Sequence, residues 1–281
     1  MRVTLMVLFL VLGAGGAGLA RAGAARCWYE HGAIVVSAAA GDIADDFILD
    51  LSSPTSLLHD TRARSDGIGA AEALLPLRLA GERLGLVGFQ VADLDARVWG
   101  FSTSIAGVIG ADALEGHVVD VRFAPCRIRL WRTRPPPFRA NVRLPLAWVG
   151  GVPTFAGAIS DGTTARAGRL AIDTASKGLR IAAAHAVLSR AAPKGLDAAS
   201  RSHPPAQLRA ASFGGLLVEN APASLDPDVP AGVLAGVGDG IWDRYDLRID
   251  LRRGVLDLRR AAGDAAGARA PQWAILRQMR R

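Results

Sequence analysis

Lysine is almost missing from this chain. Lys177 and Lys194 are the only two among 281 residues, so a formal charge of +7 is carried almost wholly by arginine. The arginines are dispersed, and aromatic residues make up only 6% of the chain. No dense basic run interleaves with aromatics, so nucleic acid is not an expected partner and the charge reads as a solvated surface. Cysteine is nearly as scarce: Cys27 and Cys126 stand alone, without a neighbouring histidine, which excludes a structural zinc site. No HExxH, Gly-x-Ser-x-Gly or Walker loop occurs, and His31, His59, His117, His185 and His203 are isolated. No metal and no cofactor are expected. After the first residues no apolar run reaches the roughly 18 residues that span a bilayer, so no transmembrane segment is expected in the mature chain.

What is present is enough apolar material, 50%, for a proper core. The first residues have the parts of an export signal: Arg2, an apolar stretch over 3–12, and Ala20-Arg21-Ala22 as a cleavage site. Residues 1–22 are therefore expected to be removed and the protein exported, periplasmic or secreted. Gly13, Gly15 and Gly18 fit GxGxxG, but residues 19–27 are small, basic and unpatterned, whereas a dinucleotide turn must open an amphipathic helix. In an exported chain an even pair of cysteines suggests a Cys27–Cys126 disulfide, closing a loop of about 100 residues for roughly 4 to 5 kcal/mol. Two buried free thiols are the alternative.

From 34 to 130, short apolar runs are broken by Gly, Pro, Asp and Ser, which reads as strands at 34–36, 47–49, 74–79, 86–91, 118–123 and 126–131. A stretch centred on Pro135-Pro136-Pro137 can continue neither sheet nor helix. Beyond it strands are expected at 141–149, 166–172, 208–218, 246–251 and 254–258, with short helices at 182–190 and 57–63. The implied domains are 23–134 and 141–260, joined by a linker at 135–140 and followed by a basic tail at 261–281.

The two halves repeat each other. Phe47-Ile48-Leu49-Asp50-Leu51-Ser52-Ser53 recurs as Leu170-Ala171-Ile172-Asp173-Thr174-Ala175-Ser176. Gly107-Val108-Ile109-Gly110 begins 57 residues beyond Asp50, and Gly232-Val233-Leu234-Ala235 begins 59 beyond Asp173. Each half closes on an apolar-Asp-apolar strand, around Asp120 and Asp250, both expected to face solvent. Such self-similarity marks two copies of one unit, with an aspartate at the end of a buried strand in each. If the copies pack about a pseudo-twofold axis, Asp50 and Asp173 meet there, share one proton, and hold a water between base and acid.

These motifs resemble the aspartic proteases, especially the bacterial retropepsin-like aspartyl proteases with two lobes in one chain. The resemblance implies a mainly β, two-lobed pepsin-like (acid protease) fold, a tandem repeat of a retropepsin-like β unit. It implies an exported aspartic endopeptidase acting on a peptide or protein between the lobes, with Asp50 and Asp173 catalytic. Ser53 and Ser176 match the donors to the outer carboxylate oxygens, and Thr174 matches a hydroxyl that braces the dyad across the axis. Gly107, Gly110 and Gly232 match the glycines of the loop behind each aspartate, and Gly67-Ile68-Gly69 is the flap candidate. Leu51, Ser52, Ala175 and Ala235 depart from the pattern: Leu51 makes the brace one-sided, and Ser52 and Ala175 put a Cβ where the motif has glycine. The alternative implied is a catalytically degenerate pepsin-like protein that binds peptides or a partner protein without cleaving.

Overall fold

The computed structural model describes residues 22–188, 190–191 and 205–261. The export signal and the basic tail fall outside the described residues, apart from Ala22 and Ala261. The first half contains β1 (Ala22–Glu30), β2 (Ala33–Ala40), β3 (Ile43–Leu49), β4 (Ser56–His59), β5 (Glu72–Leu79), β6 (Glu82–Ala92), β7 (Ile105–Ile109), β8 (Val118–Phe123) and β9 (Cys126–Trp131). The second contains β10 (Val142–Pro145), β11 (Ala147–Val149), β12 (Val152–Ser160), β13 (Ala165–Ile172), β14 (Leu179–Ala182) and β15 (Arg190–Ala191). It ends with β16 (Pro205–Phe213), β17 (Leu216–Asp226), β18 (Val233–Val237), β19 (Tyr245–Asp250) and β20 (Val255–Arg260). Three short helices, α1 (Asp60–Ser65), α2 (Asp95–Val98) and α3 (Asp239–Trp242), complete it.

Two sheets organise the strands. A 12-stranded sheet runs β10-β20-β19-β8-β9-β1-β2-β3-β7-β4-β6-β5, and an 8-stranded one runs β11-β12-β13-β18-β14-β17-β16-β15. The first six strands of the larger sheet mix both halves, and β8 pairs antiparallel with β19. Within each half the strand before the motif aspartate pairs parallel with a later one, β3 with β7 and β13 with β18. Parallel strands covered on both faces require unbroken apolar runs, and Phe47, Ile48 and Leu49 are fully buried against an equally buried β7.

Several expected elements change in detail. The 57–63 helix splits, because Leu57 and Leu58 pair with β7, leaving only Asp60–Ser65 helical under the His59 cap. The 182–190 helix is a 3₁₀ segment at Ala183–Leu188, kinked at His185. The 208–218 strand is a hairpin, because Gly214 and Gly215 take φ of +53° and +79°, the left-handed pair a tight turn needs. Asp120 and Asp250 do not face open solvent: Asp250 is 8% exposed, and Asp120 accepts from Trp131 in its own half and from Arg248 across the seam between halves. Cys27 and Cys126 form a disulfide, tying β1 to β9.

Candidate active site

The two motif loops lie against each other. Asp50 and Asp173 each follow a buried strand, and each backbone N–H donates to the partner strand, Asp50 to Ile109 O at 3.0 Å and Asp173 to Val237 O at 3.0 Å. Both side chains are buried, at 1% and 0% exposure. Thr174 spans the halves. Its hydroxyl donates to Leu49 O at 2.7 Å and accepts from Leu51 N–H at 3.1 Å, while its carbonyl accepts from Ile34 N–H at 2.9 Å. The reverse brace is missing because Leu51, fully buried in the core, has no hydroxyl to give.

All four carboxylate oxygens are engaged. Asp50 Oδ1 accepts from Ser52 N–H at 2.8 Å and Ser52 Oγ at 2.5 Å, and Oδ2 accepts from Arg97 of α2. Asp173 Oδ1 accepts from Ala175 N–H at 2.8 Å, and Oδ2 accepts from Ser176 Oγ at 2.8 Å and Arg180 Nε at 2.6 Å. Arg180 joins the halves: besides Asp173 it donates through Nη1 to buried Asp226 at 2.8 Å and through Nη2 to Ser52 Oγ. A chain from Asp173 through Arg180 and Ser52 therefore ends on Asp50.

Arginine charge enters the site from both halves. Burial opposes ionisation of Asp50, but the Arg97 and Arg180 guanidiniums and the Ser52 donors outweigh it and hold its pKa below the usual carboxylate value. Burial likewise opposes the charge on Arg180, and Asp173, Asp50 and Asp226 together reverse that and push its pKa up. Each aspartate thus has a guanidinium for a partner, Arg97 at Asp50 and Arg180 at Asp173.

The predicted supporting residues separate into two groups. Thr174 and Ser176 sit at the aspartates, whereas Ser53 turns away to donate to Thr55 O at 2.8 Å. The hydroxyl at Asp50 is that of Ser52, whose N–H and Oγ both reach Oδ1 in a tight turn, while Oδ2 is left to Arg97. Strand register also moves the downstream phrase of the second half by three residues. Phe47 faces Gly107 and Leu49 faces Ile109, while Leu170 faces Ala235 and Ile172 faces Val237. Gly107 therefore corresponds to Ala235 and Gly110 to Gly238; Gly232 is a left-handed turn residue beside Val149, away from Asp173. Gly110 lies against Thr55 and Asp112, and its N–H donates to Ser56 Oγ at 3.0 Å, while Gly107 is pressed against the Leu57 carbonyl. The glycine behind Asp173 is Gly236: a Cβ there would lie 2.9 Å from Asp173 Oδ2.

The same register aligns Leu57, opposite Val108, with Arg180, opposite Gly236. An apolar pair in the first half thus becomes an arginine and a glycine in the second. Arg97, Arg180, Asp226 and Gly236 escape motif reading. Arg180 leaves one trace, a lone charge between Leu179 and Ile181 in a four-residue strand. The flap candidate Gly67-Ile68-Gly69 closes α1, with Ile68 N–H bonded to Ala63 O at 2.8 Å and its side chain packed on the core. Among the described residues no group of three His, Cys, Asp or Glu side chains gathers as a metal would require.

No family model matches the chain, and no curated protein matches it. Among solved structures it resembles an aspartic proteinase from Irpex lacteus, at 12% identity and a TM-score of 0.53, over 88% of this chain and 99% of the other. At that identity the likeness shows the fold, which is mainly β, two-lobed and pepsin-like.

Proposed function

We propose that this chain is a catalytically degenerate pepsin-like protein that binds an extended peptide segment without hydrolysing it. One observation carries the reading: Arg97 and Arg180 occupy the outer oxygens of Asp50 and Asp173. A water-activating dyad needs one carboxylate as base and the other as acid, with pKa values pushed apart. Here a guanidinium is bonded to one oxygen of each carboxylate and favours the charged form of Asp50, which opposes its use as the proton-donating member of such a pair. Peptide binding draws on the pepsin-like fold, since the Irpex lacteus protein is a proteinase and thus takes a polypeptide. An added strand would bind through main-chain hydrogen bonds, which need no catalysis.

The second reading is an aspartic endopeptidase, favoured by the retention of both aspartates and by Arg97, whose side chain is 32% exposed and is held at Asp50 by one ion pair. A peptide-library digest from pH 3 to 7, on wild type, Asp50→Asn and Asp173→Asn, decides between them. No cleavage by any protein, with folded wild type retaining library peptides on a column, supports the binder. Cleavage by wild type that both substitutions abolish establishes the endopeptidase and ends the binding reading.

A further inference from the structure

The outer face of the six strands shared by both halves carries ordered rows of charge. Residues directly paired across an antiparallel sheet lie on the same face, with Cβ atoms about 4.5–5.5 Å apart. One row runs Arg143, Asp257, Arg248, Asp120, Arg129, and its charges alternate. Arg143 pairs with Asp257, and Arg248 takes both oxygens of Asp120 at 2.7 Å each. Arg129 faces Asp120 and makes no ion pair with it, because Trp131 Nε1 adds a third donor at 2.8 Å.

In the next row Arg122 faces Arg127, which faces Arg26. Three arginines thus stand abreast with no carboxylate between them, and like charges directly opposite are destabilising. Only Arg122 reaches an acid, Asp246, at 3.5 Å. Arg26, Arg127 and Arg129 have no ion pair or hydrogen bond within the described residues. The disulfide clamps this end of the ladder: Arg26 precedes Cys27 and Arg127 follows Cys126, so the covalent link holds together two strands that their guanidiniums push apart. A groove of about 150 Å³ opens beside them, bordered by Arg127, Arg129 and Phe138 and by two carboxylates already paired with arginine, Asp120 and Asp246.

We propose that this face binds a phosphate group, with Arg127 and Arg129 taking its oxygens and Arg26 adding the third positive charge. A carboxylate brings one charge and two acceptor oxygens. A phosphate monoester carries about −1.5 to −2 charges and three acceptor oxygens, which suits three neighbouring arginines. The chain's own C-terminal stretch does not supply the anion, since residues 262–281 contain four arginines and one aspartate.

The test is calorimetric titration of the full oxidised chain with inorganic phosphate and pyrophosphate at low ionic strength. Saturable binding is expected, weakened about tenfold or more in Arg127→Gln and in Arg129→Gln. Arg209→Gln, which removes the same charge from the distant β16–β17 hairpin, should weaken it less than about twofold, since only general attraction is lost. Absence of saturable binding by both anions, or equal weakening in all three variants, overturns the proposal. Vesicles separate the sources. Sedimentation with phosphatidic acid but not phosphatidylcholine vesicles, lost in Arg127→Gln, assigns a lipid headgroup. Binding of the free anions without either vesicle assigns a soluble phosphorylated ligand.

Discussion

Arg180 Nε lies 2.6 Å from Asp173 Oδ2, inside a site where the same guanidinium also serves Asp226 and Ser52. Three donors of one side chain therefore satisfy groups from three segments of the chain. Such a hub costs little while complete and much when broken, because removing the cation takes the ion pair from the fully buried Asp173 carboxylate.

Arg180→Leu should accordingly lower stability by about 3–5 kcal/mol at neutral pH. Arg180→Lys should recover only part of that, since an ammonium cannot present three donors in one plane. Urea midpoints at pH 7 measure both. A loss below about 1 kcal/mol in Arg180→Leu would mean that the network contributes no more than an exposed ion pair.

Gly236 makes room for that ion pair. A Cβ at this position would lie 2.9 Å from Asp173 Oδ2 and 3.3 Å from its Cβ, so Gly236→Ala must displace the carboxylate away from Arg180. We expect a loss of about 1–3 kcal/mol, typical of overpacking. Val108→Ala, at the corresponding place in the first half, should instead cost about 1–2.5 kcal/mol by lost burial and cavity, with no change in the pH dependence of stability. The two effects separate when unfolding is followed at several pH values, because only the first disturbs a charge.

Much of this architecture was legible in the chain. The strand at 47–49 and the doubled aspartates could be read from unbroken apolar runs ending in one polar residue, a pattern set by burial on both faces, and the strands at 118–123 and 126–131 from short apolar runs set between turn residues. The disulfide followed from an even pair of cysteines in a chain read as exported. Three things were hidden. Gly232-Val233-Leu234-Ala235 and Ala235-Gly236-Val237-Gly238 suit the downstream phrase almost equally well, and only strand register chooses between them. Hydroxyls at Ser52 and Ser53 differ by one position, and the local turn decides which reaches Asp50. Arg97 comes from a segment between β6 and β7 whose path no motif specifies, so its meeting with Asp50 is a tertiary fact.

The disulfide joins residues 99 apart, with Cα atoms separated by 5.0 Å. On the chain-entropy account, losing such a crosslink costs about 4–5 kcal/mol, through a less restricted unfolded state. Paired Cys27→Ser and Cys126→Ser substitutions should therefore shift the urea midpoint strongly downward. Raising salt from about 0.05 to 0.5 M should recover part of the loss, since screening relieves the Arg26–Arg127 repulsion that the crosslink holds in check. Equal salt responses in oxidised protein and the double variant would show that this repulsion does not act on the fold.

Asp239 sets the opposite limit in pH. It opens α3 against Tyr29 of β1, with Oδ1 buried and lacking a hydrogen-bond partner among the described residues. Burial chiefly, opposed by the nearby Tyr29 hydroxyl and Gly240 N–H and reinforced by Asp243, pushes its pKa up to about 7. Because the folded-state value lies above the unfolded one, the contribution to stability is whole below about pH 4 and is lost as pH rises through about 7. The full shift corresponds to about 4 kcal/mol at most. Asp239→Asn removes the charge and should leave the unfolding midpoint near pH 4 little changed while raising it at pH 8. Asp50 works in the other direction: its depressed pKa contributes stability above the ordinary carboxylate value that is lost as pH falls below it, so Asp50→Asn should cost most near neutrality and least near pH 3. Denaturant midpoints for the two variants should therefore both depart from wild type as pH rises from 3 to 8, Asp239→Asn lying above it and Asp50→Asn below it. Parallel curves for both variants would mean that neither carboxyl titrates differently in the folded and unfolded chain.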